Sequence, residues 1–221
     1  MTAFRFIHCS DLHIDSPFKG LASQVPSLTG RLRESTFQAF HKIVKLALEE
    51  KVDAVLIAGD IFDGADRSLQ AQLKFRRGLQ ELSQAGIPSF IVHGNHDPSN
   101  SWSHTLDWPE GTTIFPGNKV EHFPVTREGE TLAWIYGISY PQKEVNENLA
   151  LKFNKDQAQG FAVGLLHANV GQQPGHDNYA PCSLQDLISR DFDYWALGHI
   201  HEFKILREDN PCIVYSGNSQ A

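Results

Sequence analysis

Short apolar runs alternate with longer amphipathic stretches over the N-terminal half of this chain. Phe4–Cys9 is an apolar run that opens into Ser10-Asp11, which predicts a buried strand ending in a loop. Asp15–Gly20 is rich in turn formers. From Leu28 to Glu50, Leu32, Phe37, Phe40, Ile43, Val44, Ala47 and Leu48 recur at helical spacing, with Lys and Glu on the other face, and this predicts an amphipathic helix. Asp53–Ala58 predicts a second buried strand. Leu69–Gln84 predicts a second helix, closed by Gly86 and Pro88, and Ser89–Val92 a third strand ending at Gly94. The order β-α-β-α-β is that of a parallel sheet, whose functional groups gather at the C-terminal ends of its strands.

The second half has a different texture. Thr112–Phe115, Leu132–Ile138, Phe161–Leu166, Tyr194–Leu197 and Ile213–Tyr215 predict strands, with only weak helices near Lys143–Leu151 and Ser183–Ile188. The expectation is an α/β fold with a second sheet packed on the first: a two-sheet β-sandwich flanked by helices, as one domain over residues 1–221. There is no internal repeat and no low-complexity tract.

Composition narrows the function classes. Hydrophobic residues make up 41% of the 221 residues and charged residues 20%, enough to bury a core and too apolar for a disordered chain. The net charge of -7 lacks the basic footprint of a stand-alone nucleic-acid binder. It does not exclude an enzyme, because bound metal ions supply positive charge where a phosphate must sit. Cys9, Cys182 and Cys212 form neither a disulfide framework nor a zinc-finger pattern, and read as buried small residues in a reducing compartment. The N-terminus has no signal-peptide apolar region, and no apolar run approaches the ~20 residues of a membrane span, so a cytoplasmic protein is expected.

The candidate chemistry lies at the ends of the apolar runs. Asp11 and His13 follow the first strand two residues apart, so in an extended chain both side chains reach the same side. Gly59-Asp60 ends the second strand, and the two carboxylate oxygens of Asp60 can bridge two ions. Gly94-Asn95-His96-Asp97 ends the third: the Asn95 amide oxygen can ligate a metal without adding charge, His96 can act on a substrate, and Asp97 can hold that imidazole in one tautomer. His167 follows the run Phe161–Leu166, and Gly198-His199-Ile200-His201 repeats the spacing of Asp11 and His13 with imidazoles suited to Mn, Fe or Zn. Each cluster alone is also compatible with a turn or a loop cap. Together they offer ligands for two divalent ions and point to metal-assisted phosphoester hydrolysis. His8, His41, His93, His104, His122 and His176 fit no ligand pattern, and Gly171–Ala180 reads as an ordinary surface loop rather than a cover over the site.

The ordered set Asp11-Leu12-His13, Gly59-Asp60, Gly94-Asn95-His96-Asp97, His167 and Gly198-His199-Ile200-His201 resembles the calcineurin-like metallophosphoesterase superfamily. Within it, Cys9–His13, Ala58–Asp63, Tyr194–His201 and Tyr215-Ser216-Gly217-Asn218 resemble the bacterial SbcD-type DNA repair exonucleases. The resemblance implies a four-layer αββα sandwich with two metal ions at one edge, manganese first and iron or zinc as alternatives. Asp11, His13, Asp60 and His201 would hold one ion; Asp60, Asn95, His167 and His199 the other; His96 would contact the phosphate or protonate the leaving oxygen, oriented by Asp97. It implies DNA as substrate and an SbcC-like ATPase as partner, while pairing of two copies of the chain is left open. There are two departures. Asp63 stands three residues after the bridging position, where some nuclease relatives carry His, so a substrate-facing group is expected to be missing. The relatives also continue into a DNA-positioning domain that this chain is expected to lack. A small-molecule or cyclic-nucleotide phosphodiesterase is the alternative enzyme, and a non-catalytic scaffold of the same fold the remaining one.

Overall fold

Ala54–Ala58 is buried at every position, and its alternation decides the layering of the fold. Ala54, Leu56 and Ala58 face one apolar cluster, while Val55 and Ile57 face another. A strand covered on both faces needs no polar side, which is why its sequence reads as an unbroken apolar run. The structure, a computed structural model, describes residues 3–16, 29–64, 68–101, 106–155, 160–173 and 175–220. From Pro17 onward the expected turn-rich segment lies outside these residues, as do the start of the first expected helix at Leu28 and His104.

The first sheet has the order β1-β2-β3-β4, formed by Phe6–Cys9, Ala54–Ala58, Ser89–Val92 and Thr112–Ile114, all parallel. The second contains β5 (Glu121–Arg127), β6 (Glu130–Gly137), β7 (Phe161–His167), β8 (Tyr194–Gly198), β9 (Lys204–Arg207) and β10 (Cys212–Tyr215), in the order β5-β6-β7-β8-β10-β9. Its central pairs are parallel; β5 and β9 are antiparallel edges. Between the sheets lie Leu56, Phe90 and Val92 from one side and Ile135, Val163, Leu165 and Ala196 from the other.

Two helices, α1 (Thr29–Glu50) and α2 (Leu69–Gln84), cover the outer face of the first sheet. Phe40, Val44, Phe75 and Leu79 supply their buried stripe. Ser68 caps α2 by accepting from the Ala71 N–H at 3.1 Å. The outer layer over the second sheet is thinner than expected. It consists of one 3₁₀ turn at Leu149–Lys152, the short helix α3 (Leu184–Ile188) with a capping box at Ser183 and Asp186, and packed loops carrying Phe153 and Phe192. Only the end of the stretch Lys143–Leu151 is helical, because Val145 and Leu149 pack on the core as loop anchors rather than as one helical stripe.

β5 and β9 were not legible from the apolar pattern. Val125 is the one fully buried side chain of β5, and Pro124, which has no N–H, is tolerated because β5 is an edge. β9 is likewise an edge with no buried residue. Half-solvated edge strands carry little hydrophobic signal.

Phe75 is fully buried, with ring centroids 4.9 Å from Phe40 and 5.7 Å from Phe62. Phe75→Ala opens a cavity that α1 and α2 cannot both close, and the expected loss is about 3–5 kcal/mol of unfolding free energy in urea titrations. A loss below about 1 kcal/mol would contradict this packing.

Candidate metal centre

Every residue singled out from the sequence lies at one end of the sandwich, where the C-terminal ends of β1, β2, β3, β7 and β8 meet. β1 and β2 continue their pairing past the sheet: Asp11 N–H donates to Gly59 O at 3.0 Å, His13 N–H to Asp60 O at 3.1 Å, and Ile14 N–H to Ile61 O at 2.8 Å. The backbone here is not the extended chain that the i, i+2 spacing suggested. Asp11, His13, Asp60 and His199 have φ of 50°, 41°, 51° and 99°. Asp and His tolerate the left-handed region better than most residues, yet four such positions at one site mark stored strain. Glycine makes the room: a Cβ at Gly59 would sit 2.5 Å from His167 Nδ1, and at Gly198 it would collide with the Ala58 carbonyl.

The tautomers of two buried imidazoles follow from their hydrogen bonds. His167 Nδ1 is 2.8 Å from the Ala58 carbonyl and His199 Nε2 is 2.7 Å from the Asp177 carbonyl, so both nitrogens carry protons and donate. Their other nitrogens, His167 Nε2 and His199 Nδ1, point at the same acceptor, Asn95 Oδ1, at 3.0 and 3.1 Å. Asp60 Oδ2 is 3.4 Å from His167 Nε2. With neutral rings, lone pairs converge here with no proton between them. That arrangement fits a cation, held by ring nitrogens whose opposite N–H groups rest on backbone carbonyls.

A proton takes up this role in the metal-free protein. Burial opposes charge on His167, but Asp60 and Asp11 outweigh it and raise its pKa to about 9. Burial, aided by the charge on His167, lowers His199 to about 3. Burial also pushes Asp60 upward, yet His167, His13 and His96 hold it well below the usual carboxylate range.

Beside this set, ligand atoms of Asp11, His13 and His201 lie within 4.8 Å of one another. His13 Nε2 and His201 Nε2 are 3.3 Å apart, and Asp11 Oδ1 is 3.8 Å from His201 Nε2. Asp11, Asp60 and His167 form a further such triad, so the two carboxylates join the two sets. Asp11 is held by the Ser10 hydroxyl at 2.5 Å and by the His199 N–H at 3.1 Å, and Ser10 is linked to Ser216 at 2.7 Å. Imidazole and oxygen donors without a thiolate suit divalent Mn, Fe or Zn, and they fit a pair of ions.

Asp63 holds His96. His96 Nδ1 is 2.9 Å from Asp63 Oδ1, and His13 Nδ1 is 3.6 Å from the same oxygen. Hydrogen bonds from His13 and then His96 hold the Asp63 carboxyl well below the usual range, and the Asp63 hydrogen bond in turn raises His96. Asp97, expected to orient His96, instead accepts from the Gly94 N–H at 3.0 Å and the Ile61 N–H at 2.9 Å. Burial, with Asp60 nearby, raises Asp97 to about 7. Its carboxyl is locked between two loop amides, while Phe62 pairs with Ile14 and brings Asp63 alongside His13. Asp63 thus occupies the place where a substrate-facing group was expected to be missing.

The profile of the calcineurin-like phosphoesterase family matches residues 4–203. This chain belongs to that family. The chain is 38% identical over 221 residues to the uncharacterized metallophosphoesterase YhaO of Bacillus subtilis, covering 100% of this chain and 54% of that protein. It is 25% identical to the DNA double-strand break repair protein Mre11 of Sulfurisphaera tokodaii, over 97% of this chain and 53% of that one. It is 23% identical to the SbcD component of the nuclease SbcCD of Bacillus subtilis, over 98% and 62%. The chain therefore spans little more than half the length of these relatives. A dimetal phosphatase from Danio rerio shares the fold with a TM-score of 0.58 at 14% identity, over 98% of this chain and 88% of that one.

An open cavity of about 350 Å³ at this end of the chain is lined by Asp60, Asn95, His96, Gly175, His176, Asp177, His199 and His201. Sequence reasoning missed His176 and Asp177, and it noted Asp63 three residues after Asp60 without its role of holding His96. Gly171–Ala180, expected to be an ordinary surface loop rather than a cover over the site, instead supplies Gly175, His176 and Asp177 to the wall of this cavity. Of the other unassigned histidines, the described His8, His41, His93 and His122 stay out of it: His8, for example, is buried between Tyr194 Oη at 3.2 Å and the Leu197 carbonyl at 3.1 Å.

Because His167 is protonated below about pH 9, a divalent ion must displace its proton. Apparent Mn²⁺ affinity is expected to fall as pH drops below about 9, by up to tenfold per unit for one proton, and uptake at pH 7.5 to release about one proton. Calorimetry in buffers of different ionisation enthalpy checks this. An enthalpy independent of the buffer would refute the protonated His167.

Proposed function

We propose that this chain hydrolyses phosphodiester bonds of DNA at a dinuclear metal centre, as the nuclease part of a DNA repair exonuclease. The observation that carries the reading is the convergence of His167 Nε2 and His199 Nδ1 on Asn95 Oδ1, beside the His96–Asp63 pair at the mouth of a solvent-open cavity. In this reading Asp11, His13, Asp60 and His201 hold one ion, and Asp60, Asn95, His167 and His199 the other. When bound, the two ions polarise the phosphoryl group and lower the pKa of an attacking water.

The chain's own residues do the rest. Asp63 accepts from His96 Nδ1, which fixes the ring and leaves Nε2 for the substrate. The Asp63 carboxylate raises the pKa of His96 and so favours a proton on the ring, one that can hydrogen-bond a phosphoryl oxygen and then pass to the leaving oxygen. Asp97 ties the amides of Ile61 and Gly94 together and so positions the loop that carries Asn95 and His96.

The substrate follows from the likeness to the repair protein Mre11 and to the nuclease SbcCD. By the likeness to the SbcCD subunit the partner is an SbcC-like ATPase, and the imidazole and carboxylate donors make manganese the first metal to try. All three cysteines are free, in keeping with a reducing cytoplasm, and among the described residues no helix is long and apolar enough to cross a membrane.

One observation favours small phosphodiesters instead. Among the described residues no Lys or Arg lines the cavity, and the net charge is -7. Labelled linear DNA and a small chromogenic phosphodiester, each with Mn²⁺, separate the two readings. Stepwise shortening of DNA is expected, with His96→Ala slower by about 100- to 10,000-fold and Asp63→Asn by about 10- to 100-fold. Turnover of the small diester without DNA cleavage would move the assignment to small substrates, and failure on both would end the hydrolase reading.

A further inference from the structure

Six imidazoles form one continuous arc around the cavity. Ring centroids are 4.9 Å apart for His96 and His13, 5.0 Å for His13 and His201, and 5.3 Å for His201 and His176. They are 5.6 Å apart for His176 and His199, and 5.1 Å for His199 and His167. Four of these rings belong to the ligand sets above. His96 and His176 do not, and His176 touches one ring from each set.

His176 is half-buried, lines the cavity, and has no hydrogen-bonded partner among the described residues. Its place is fixed by the residue that follows it. The Asp177 carbonyl accepts from His199 Nε2 at 2.7 Å, from Asn169 Nδ2 at 3.2 Å and from the Tyr179 N–H at 2.9 Å. The loop is closed further by Ala180 N–H donating to the Val145 carbonyl at 2.6 Å. His176 is thus held over the seam between the two ligand sets by a loop anchored on a ligand itself.

The lining residues leave few donors for an anion. Asp60, Asn95, His199 and His201 would be taken up in holding the ions, and Asp177 repels negative charge. A phosphodiester needs N–H or O–H groups directed at its non-bridging oxygens. Among the described lining residues only His96 and His176 carry side-chain donors outside the ligand sets. A neutral imidazole always has one N–H to give.

We infer that His176 is a substrate-binding residue, donating a hydrogen bond to a non-bridging oxygen of the phosphoryl group from the wall formed by His199 and His201, while His96 approaches from the side of His13. The inference rests on the metal-dependent phosphoesterase reading above and adds a residue to it. A hydrogen bond to a charged oxygen in such a site changes affinity by about tenfold or more.

The test is binding of inorganic phosphate to Mn²⁺-loaded protein, followed by calorimetry, with metal content measured on the same samples. His176→Ala is expected to keep the wild-type metal content and bind phosphate about tenfold or more weakly, and His176→Gln, which retains an N–H donor, to recover most of the loss. Phosphate affinity of His176→Ala within twofold of wild type would overturn the inference alone. So would loss of metal from both variants, which would make His176 a ligand or a support for the loop. Metal-loaded wild type with no affinity for phosphate would overturn this inference together with the phosphoesterase reading.

Discussion

Two imidazole nitrogens point at one buried amide oxygen at 3.0 and 3.1 Å, and positive charge among these lone pairs stabilises the arrangement. The end of this sandwich is organised around that constraint. The lone pairs cannot turn away, because His167 and His199 are fixed from behind by hydrogen bonds to the Ala58 and Asp177 carbonyls. One carbonyl belongs to the first sheet and the other to a loop after β7 of the second, so ring orientation is a property of how the two sheets meet. His167 protonates in the absence of an ion for the same reason that an ion would bind: Asp60 and Asp11 are buried beside it.

The same end of the molecule stores backbone strain. Left-handed conformations at Asp11, His13, Asp60 and His199 cost about 1–3 kcal/mol each where the residue is not glycine. They persist because the surroundings over-determine them: three consecutive backbone hydrogen bonds join Asp11–Ile14 to Gly59–Ile61, and the Asp11 carboxylate clamps the His199 amide. The apolar layers below, from Leu56 and Val92 on one sheet to Leu165 and Ala196 on the other, offset that cost and hold the strand ends in register. The rigid core and the strained rim are one design, in which packing fixes where the carboxylates and imidazoles stand.

An acidic chain can still present positive charge locally. The cavity draws its positive character from imidazoles and from the ions its donors fit, not from Lys or Arg among its described lining residues. Asp63 completes that arrangement by raising the pKa of His96 at the mouth, where the His96 side chain is 40% exposed. Net charge summed over the chain therefore says little about this site, whose local field is set by a few buried groups.

The apolar runs by themselves determined the parallel first sheet, the two helices over it and the second sheet's central strands, because residues buried on both faces or along one stripe leave an unmistakable period. Clusters at the ends of those runs likewise marked Asp11, His13, Asp60, Asn95, His96, His167, His199 and His201 as neighbours. The edge strands β5 and β9 were invisible, since half-solvated strands need few apolar residues. Roles that depend on direction rather than proximity came only from the tertiary structure. Which carboxylate meets His96 hangs on the pairing of Phe62 with Ile14, which carries Asp63 to His13 and leaves Asp97 on backbone amides. His176 reaches the cavity because a hydrogen bond from His199, distant in sequence, anchors its loop. Sequence periodicity records burial, whereas a hydrogen bond between separate loops leaves no period to read.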